Sequence, residues 1–440
     1  MIKRIEALNY RGFRYLDISL NRFNILIGPN ASGKSTFLDI LSFVSDIIRR
    51  GLYKAVKKRC GYFQELLWKL GEESNRLDFA IELELPEETR ELEAKYIFKY
   101  ARYEIGLSIN EEEEPVITRE YFWLLQEDHE KKSLIKNPEN FGESSRLSDQ
   151  ELEFPDIEQD IFFLLEKMRE KCKVNDKTGW HIVALRNNLG ESLFDSELDS
   201  GTGASNNVKL TESFFPFSTL QQFNPLFYKT YWTQYQLEKE MHYIQLNNKG
   251  LKEACRGDAP MSLEPGGESL AKILKSLKEK HPSDFSDWVD HVKTSLRDIE
   301  KIEIVEQSID RSLQLKILYE SGVSLSNRQL SDGTLYYLAL TVIPYLKEKS
   351  RLYMIEEPEN GLHPQAIESV MQSLNSVYDG QVFVTTHSPV ILNLAKPEDF
   401  LCFQKKKSGE LGIVRGDEHP VLKNWKSEID LDQLFASGVL

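Results

Sequence analysis

One stretch of the chain reads Gly28-Pro29-Asn30-Ala31-Ser32-Gly33-Lys34-Ser35, which has the glycine, lysine and serine spacing of a phosphate-binding P-loop. The apolar residues 24–27 before it predict a strand that ends at the first glycine. Apolar residues then recur at helical spacing at Phe37, Leu41, Val44 and Ile48. A loop between a strand and a helix is the context a P-loop requires, so we predict an α/β fold.

Each residue type in this loop has a physical role. Glycines let backbone N–H groups surround phosphate oxygens, and the helix that follows adds about half a positive charge at its N-terminus. We expect Lys34 to reach the terminal phosphates and Ser35 to bind Mg²⁺ through its hydroxyl. Thr36 is expected to satisfy local backbone or contact the α-phosphate. The loop therefore predicts a site for a nucleoside triphosphate with Mg²⁺.

A pair of carboxylates follows a second apolar run far along the chain. Residues 352–355 are apolar and lead directly into Glu356 and Glu357, the form of a Walker B element. Glu356 is predicted to hold Mg²⁺, directly or through water, and Glu357 to orient or deprotonate the attacking water. Because neighbouring residues on a strand point to opposite faces, we expect the two carboxylates to have separate roles.

Two further segments bear on the same site. The apolar residues 382–384 predict another strand, and His387 follows it as a candidate sensor of the γ-phosphate. Earlier in the chain, Ser331 is a predicted N-cap, and a helix N-terminus also binds anions. The apolar face of that predicted helix comprises Leu335, Leu338, Val342 and Leu346. These segments and the P-loop are therefore expected to converge on one nucleotide.

Three segments resemble the RecF, SMC and overcoming-lysogenisation-defect (OLD) ATPases. Residues 330–334, LSDGT, are similar to the ABC signature LSGGQ; residues 9–14, NYRGFR, resemble an opening NFRGF segment; and residues 356–364, EEPENGLHP, resemble a Walker B and D-loop. The resemblance implies an ABC-ATPase head, a P-loop NTPase with a mixed sheet and an antiparallel β-subdomain. An inserted, mainly helical lobe is expected within it.

The resemblance also implies roles for individual residues and a partner. ATP is expected between two copies of the chain, with Ser331 and Gly333 of one copy completing the P-loop site of the other. Glu357 is implied as the catalytic base and His387 as the switch histidine. A Q-loop glutamine is harder to assign, and Gln64 is the best candidate.

The order of motifs predicts three segments. Residues 1–125 form the first part of the head, 126–300 an inserted mainly helical lobe, and 301–440 the rest of the head with the signature, Walker B, D-loop and H-loop. Helical patterning at residues 157–168 and 270–277 supports the insertion, and strand alternation resumes after residue 302. No heptad seam persists long enough for an SMC-type arm.

Composition limits the class of protein. The chain has 440 residues, 40% of them hydrophobic and 28% charged, which is typical of a globular protein. Its four cysteines lack metal-site or disulfide spacing, so buried free thiols are expected. Neither a signal peptide nor a long apolar run is evident, so we predict a cytoplasmic protein without membrane association. The formal net charge of −15 argues against coating nucleic acid with the whole surface.

Several alternatives for function stay open. Only 53 residues follow His387, too few for the Toprim nuclease of many OLD relatives, so a separate effector, such as a nuclease, is expected as partner. Phage defence or DNA maintenance is the implied setting, with a RecF-like DNA-binding repair ATPase, a non-hydrolysing scaffold and a transporter subunit as alternatives. Residues 49–59 are basic and would contact nucleic acid or an acidic partner, or form a solvated helical face.

Overall fold

The computed structural model describes the chain in two compact units. The first comprises Met1–Leu20, Ser35–Lys239 and Lys405–Gly412, and the second Asn21–Lys34, Glu240–Gln404 and Ile413–Leu440. The residues described are 1–69, 75–87, 98–125, 180–186, 191–194, 208–209, 237, 241–308, 311–346, 351–406, 409–419 and 422. The predicted helix at residues 157–168 lies outside them.

Both units contain strands and helices. The described strands are β1 (Ile2–Tyr10), β2 (Phe13–Ser19), β3 (Phe23–Ile27), β4 (Leu77–Glu84), β5 (Tyr100–Ile109), β6 (Pro115–Leu125), β7 (Trp180–Arg186), β8 (Glu191–Phe194), β9 (Val208–Lys209), β10 (Met241–Ile244), β11 (Ile299–Glu306), β12 (Leu313–Tyr319), β13 (Ser324–Ser326), β14 (Arg351–Glu356), β15 (Gly380–Thr385), β16 (Phe400–Lys405) and β17 (Leu411–Arg415). The α-helices are α1 (Lys34–Arg50), α2 (Leu52–Lys57), α3 (Asn248–Lys252), α4 (Leu270–Lys280), α5 (Pro282–Ser295), α6 (Asp332–Thr341), α7 (Pro364–Asn375) and α8 (Pro389–Leu394). Short 3₁₀ helices span Phe63–Leu66, Ile343–Tyr345 and Pro397–Asp399.

The first unit contains an antiparallel sheet in the order β2-β1-β4-β5-β6-β7-β8-β9. The antiparallel arrangement predicted for the strands of this region is confirmed. Helix α1 packs on one face through aromatic contacts: the Tyr10 ring is stacked on Phe43 at 5.8 Å and meets the edge of Phe79 at 5.2 Å. The predicted apolar face of α1 is likewise confirmed, since its four residues are buried.

Buried charges occupy the opposite face of β1, β4 and β5. The guanidinium of Arg102 is fully buried and donates from Nη1 to Glu6 at 2.8 Å and to Glu82 at 2.6 Å, and from Nε to Glu104. Arg4 adds a second cation, with its Nη2 2.6 Å from Asp17. We call these six residues the buried charge network. It holds four carboxyl groups and two guanidinium groups, so some of its carboxyls have a strong tendency to bind protons.

This network predicts how stability depends on pH. Burial raises the pKa of Glu104 from 4.5 to about 7, with Arg102 opposing that shift. A carboxyl with a higher pKa in the folded chain binds more protons when folded, so its stabilising contribution is complete at low pH and is lost as pH rises through the folded pKa. We therefore expect the free energy of unfolding of the wild type to fall between pH 4.5 and about 7 more steeply than that of Glu104→Gln.

Urea denaturation across this pH range measures the effect. The partly exposed Glu84 on β4 provides a matched control, because Glu84→Gln should leave the wild-type slope unchanged. Equal slopes for the wild type and Glu104→Gln would show that Glu104 does not carry the proton.

The second unit is built on a sheet in the order β10-β14-β15-β3-β16-β17. Its neighbours from β10 to β16 pair in parallel. Parallel strands direct their carboxyl ends to the same edge, which is where open α/β sheets bind ligands. The segments that follow β3, β10, β14 and β15 therefore meet at one edge of this sheet.

Helices α4 to α7 and the sheet enclose one hydrophobic core, and β11, β12 and β13 form a separate antiparallel sheet. Trp288 on α5 is fully buried there and donates from Nε1 to Thr341 Oγ1 at 3.2 Å. The strand alternation predicted after residue 302 and the helix predicted at residues 270–277 are confirmed as β12 and α4. Helix α6 ends at Thr341, earlier than its apolar pattern predicts, and a 3₁₀ turn containing Pro344 follows because proline disrupts a helix interior.

The predicted insertion at 126–300 differs in part from this architecture. Strand β10 lies in the parallel sheet, helices α3, α4 and α5 belong to the second unit, and β7 to β9 extend the antiparallel sheet. Helical periodicity alone places α4 in the predicted helical lobe. In the structure, the apolar face of this helix packs into the core of the second unit. The division into residues 1–125, 126–300 and 301–440 stays a prediction for the residues outside the described ranges. The described cysteines are free, and Cys255 and Cys402 are buried as expected.

Candidate functional site

The P-loop follows β3 with a sharp change in backbone direction. All five residues of β3 are buried, and the chain turns at Gly28 with φ of 147°. A Cβ at Gly28 would lie 2.4 Å from the backbone oxygen of Phe403, so a side chain does not fit. Ala31 and Gly33 also have positive φ, at 61° and 105°. Glycine is therefore required at this turn because of both backbone conformation and close packing.

The loop residues fit a phosphate group. Pro29, Asn30 and Ala31 are exposed, while Ser32 is 2% exposed and its Oγ has no hydrogen-bond partner within the described ranges of the chain. Lys34 donates from Nζ to the backbone oxygens of Gly28 at 2.6 Å and Pro29 at 3.1 Å. Helix α1 begins at Lys34, so Ser35 and Thr36 stand in its first turn, where backbone N–H groups have no intrahelical partner. These donors suit an anion at the start of the helix.

The paired carboxylates lie at the carboxyl end of β14. Glu356 is the last residue of the strand, and Glu357 lies beyond it with φ of 43°. The backbone N–H of Glu357 donates to Thr385 O at 2.9 Å, and its Oε2 accepts from Asn360 Nδ2 at 2.6 Å. The prediction that both glutamates lie on the strand and alternate between its faces is therefore wrong. Glu357 lies after the strand, and its left-handed backbone conformation gives its side chain a direction different from that of Glu356. Such strain in a non-glycine residue is typical of functional sites.

Glu356 is held by residues at the end of the neighbouring strand β10. Gln245 donates from Nε2 to Glu356 Oε2 at 3.0 Å. Burial raises the pKa of Tyr243, and a hydrogen bond to Glu356 raises it further. Gln245 was not singled out from the sequence, whereas the candidate Gln64 lies in the 3₁₀ helix Phe63–Leu66 of the first unit. The signal that would have found Gln245 is a polar residue directly after a short apolar strand.

A second connection joins the segment after β14 to the end of β15. Glu359 Oε1 accepts from Thr386 Oγ1 at 2.6 Å and from the backbone N–H of His387 at 3.1 Å. The other oxygen, Oε2, is buried and has no hydrogen-bond partner among the described residues. Glu359 therefore positions His387, a role that its place in the motif did not reveal.

Among the predicted site residues Lys34, Glu357 and His387, charge affects the pKa of Lys34 and that of His387. Burial lowers the pKa of Lys34, and the charge of Glu357 opposes that shift. Burial also lowers the pKa of His387, followed by the positive charge of Lys34, while Glu357 and Glu359 oppose the change. His387 is therefore neutral at neutral pH, and Lys34, Glu357 and His387 lie within electrostatic reach of one another.

The LSDGT segment forms the start of α6. Ser331 caps the helix as predicted, accepting from the backbone N–H of Thr334 at 3.1 Å, and it is exposed. A Cβ at Gly333 would lie 2.6 Å from the backbone oxygen of Gly361, so glycine allows α6 to pack against the segment after β14. The neighbouring Asp332 accepts a hydrogen bond at Oδ2 from Asn248 Nδ2 at 2.6 Å. The start of α6 is thus connected to residues that follow both β10 and β14.

Magnesium needs few protein ligands, and the site offers few. Mg²⁺ is commonly bound by one or two carboxylates together with substrate phosphates and water. Within the part of the chain that the structure describes, no group of three or more His, Cys, Asp or Glu residues is arranged to hold a metal on its own. The carboxylate of Glu356, at the same edge of the sheet as the phosphate-binding loop, therefore suits a cation that arrives with the nucleotide.

The family of the chain follows from a match that covers most of its length. The AAA ATPase domain matches residues 1–392 of the 440. The chain belongs to this family. The protein is thus an ATP-binding ATPase and an ATP hydrolase, on an α/β fold with a parallel sheet behind its P-loop.

Among solved structures, this ATPase is similar to three SMC heads. An SMC head bound to the C-winged helix domain of ScpA has a TM-score of 0.48 and 12% identity, covering 94% of this chain and 96% of that chain. The SMC head domain from Thermotoga maritima has a TM-score of 0.41 and 10% identity, covering 94% and 98%. An SMC head domain with an extended coiled coil, bound to the C-terminal domain of ScpA derived from Pyrococcus furiosus, has a TM-score of 0.39 and 13% identity. The match covers 94% of this chain and 95% of that chain.

The described helices of this ATPase also bear on its relation to membranes. Of the helices in the described ranges, none combines the length and the apolar character that crossing a bilayer requires.

Proposed function

We propose that this ATPase has an ABC-type head that forms a homodimer around ATP and controls a separate effector protein. ATP hydrolysis by this head is supported most by the grouping of Lys34, Glu357 and His387, whose charges act on one another. Lys34 lies at the P-loop and the other two residues follow adjacent parallel strands. A cation, a carboxylate and a neutral imidazole together suit the binding of a triphosphate and the activation of a water molecule.

The residues of the site divide the chemistry between them. Lys34 and the backbone N–H groups of the loop hold phosphate oxygens, and Ser35 and Glu356 would hold Mg²⁺, with Gln245 orienting Glu356. Bound Mg²⁺ neutralises charge on the phosphates. Glu357 accepts a proton from the attacking water, and Asn360 holds the carboxylate of Glu357 in place by donating to its Oε2. We prefer Gln245 to Gln64 as the Q-loop residue on the basis of its contact with Glu356.

The signature supports action between two copies. The exposed Ser331 hydroxyl accepts from its own helix, and the first turn of α6 has further N–H groups for which the helix itself provides no acceptor. Such an exposed helix start suits the γ-phosphate bound by a second copy, with Gly333 allowing close approach. Hydrolysis would then release the dimer. Control of an effector, Mg²⁺ use and a setting in phage defence or DNA maintenance rest on the sequence resemblance.

A mixing experiment tests whether the signature acts between copies. Lys34→Ala damages the P-loop and leaves the signature intact, whereas Ser331→Arg blocks the signature and leaves the P-loop intact. Each variant alone is expected to be inactive. A mixture should hydrolyse ATP well above the sum of the two measured separately, because a mixed dimer contains one complete site.

One outcome would contradict the shared site, and one control variant accompanies the test. A mixture that stays inactive, while each variant still folds and Ser331→Arg still binds ATP, would contradict the shared site. Glu368→Arg serves as the matched control for Ser331→Arg, since Glu368 is exposed on α7 and should tolerate the same side chain.

A further inference from the structure

The surface around α2 is basic in an acidic protein. Between residues 37 and 65 the chain has three carboxylates, Asp39, Asp46 and Glu65, whereas the formal net charge of the whole chain is −15. The same segment carries six cations: Arg49, Arg50, Lys54, Lys57, Lys58 and Arg59. The segment is therefore locally positive by composition.

Part of this charge is used inside the first unit. Arg59 bonds Asp39 from Nε at 2.7 Å and Asp46 from Nη1 at 2.9 Å, and Lys58 bonds Asp46 at 2.8 Å. These carboxylates are thus already occupied. Arg49 and Lys54 are exposed, and no ion pair joins either of them to a carboxylate of the described residues.

Two tyrosines project from the same surface. Tyr53 is 61% exposed and Tyr62 is 72% exposed, which is unusual for large rings. Lys57 Nζ lies 5.7 Å from the centroid of the Tyr53 ring and 6.0 Å from that of Tyr62, and it donates to Gly61 O at 3.1 Å. One ammonium group therefore lies near both rings, and both rings remain largely in solvent.

The buried side of α2 explains why the rings do not turn inward. Leu52, Ala55 and Val56 fill the side of the helix that faces the first unit. With an apolar side already complete, Tyr53 and Lys57 are left on the solvent side. We call Arg49, Tyr53, Lys54, Lys57 and Tyr62 the basic-aromatic surface.

We infer that the basic-aromatic surface binds single-stranded nucleic acid. Bases stack on the rings of Tyr53 and Tyr62, and Arg49, Lys54 and Lys57 neutralise the phosphates between them. Exposed aromatic rings among cations are how proteins bind single strands without reading sequence. An acidic peptide would use the cations but would leave the rings without a role, and a duplex keeps its base faces stacked internally. The surface lies in the first unit and does not depend on the proposed dimer.

Fluorescence anisotropy with the full chain and a labelled oligothymidylate of about 16 nucleotides tests this inference. Tyr53→Ala and Tyr62→Ala are each expected to weaken binding by about fivefold or more, because a stacked base is lost. Tyr53→Phe and Tyr62→Phe should bind like the wild type, since the ring remains. Lys54→Gln should weaken binding and lower the slope of log affinity against log salt by about 0.7.

Tyr378→Ala provides a matched control, because Tyr378 is 73% exposed and lies in the second unit. It should leave the affinity unchanged, and thermal unfolding of each variant checks that the fold is retained. Absence of binding by the wild type, or binding that both alanine variants retain, would overturn the inference. Equal affinity for a duplex of the same length, or displacement by polyglutamate with no effect of the tyrosine variants, would also overturn it.

Discussion

Replacing Glu357 with glutamine is expected to lower kcat for ATP hydrolysis by about 10²- to 10⁴-fold. The glutamine side chain has nearly the same size and still offers an oxygen to Asn360 Nδ2, so the local geometry should persist. It cannot accept a proton from water at neutral pH, and the base is therefore lost. ATP binding should remain, because Lys34 and the loop are unchanged. The proposed dimer should consequently accumulate with ATP.

Steady-state phosphate release and size-exclusion chromatography with light scattering measure the two consequences. Glu368→Gln on the exposed side of α7 makes the same chemical change away from the site and should keep wild-type kcat. Hydrolysis that persists in Glu357→Gln would show that another group is the base. If activity is lost but no dimer forms with ATP, the assignment of Glu357 as the base would stand and the proposed homodimer would be contradicted.

Replacing Arg102 with methionine is expected to destabilise the first unit by about 3–5 kcal/mol. Arg102 is fully buried between Glu6, Glu82 and Glu104, and its removal leaves three buried carboxyl groups without their shared cation. Methionine fills much of the same volume, so the loss is mainly electrostatic. Its magnitude is a large fraction of the total stability of a typical domain.

Chemical denaturation at pH 8 measures this loss, and the loss should be smaller at pH 5, where more of the carboxyls bind protons. Lys3→Met on β1 of the same sheet is the matched control, because Lys3 and Glu84 are each about 30% exposed and such a pair contributes about 1 kcal/mol or less. A change for Arg102→Met no larger than for Lys3→Met would mean that the network adds little to stability.

The P-loop and its two flanking elements could be predicted because short-range physics determines them. Glycines with positive φ, a buried strand and an amphipathic helix each have a local sequence pattern. The cap at Ser331 and the strands β12 and β14 were predicted for the same reason. Each of these elements depends mainly on residues within about two helical turns or one strand.

Strand β1 shows why other elements were missed. Arg4 and Glu6 are buried within it, so its pattern of polar residues suggests an exposed face where the structure has none. Arg4 pairs with Asp17 on β2, and Glu6 pairs with Arg102 on β5, 96 residues further along the chain. The interaction is non-local, so no window of sequence contains it.

Gln245 illustrates the same limit at the site itself. Its strand β10 is four residues long and follows an aromatic-rich stretch that gives no clear period. The pairing of β10 with β14 brings it to Glu356, 111 residues further along the chain. Glu359 likewise acquires its role only when Thr386 and His387 approach it.

The sequence by itself determined that this protein has a P-loop, a pair of glutamates after a buried strand and a capped LSDGT helix, because each depends on backbone conformation and local apolar patterning. Only the tertiary structure decided which groups surround those residues. Parallel pairing places the ends of β3, β10, β14 and β15 at one edge, and burial there lowers the pKa of Lys34 and that of His387. Charge and burial depend on neighbours from distant parts of the chain, which composition and spacing do not specify.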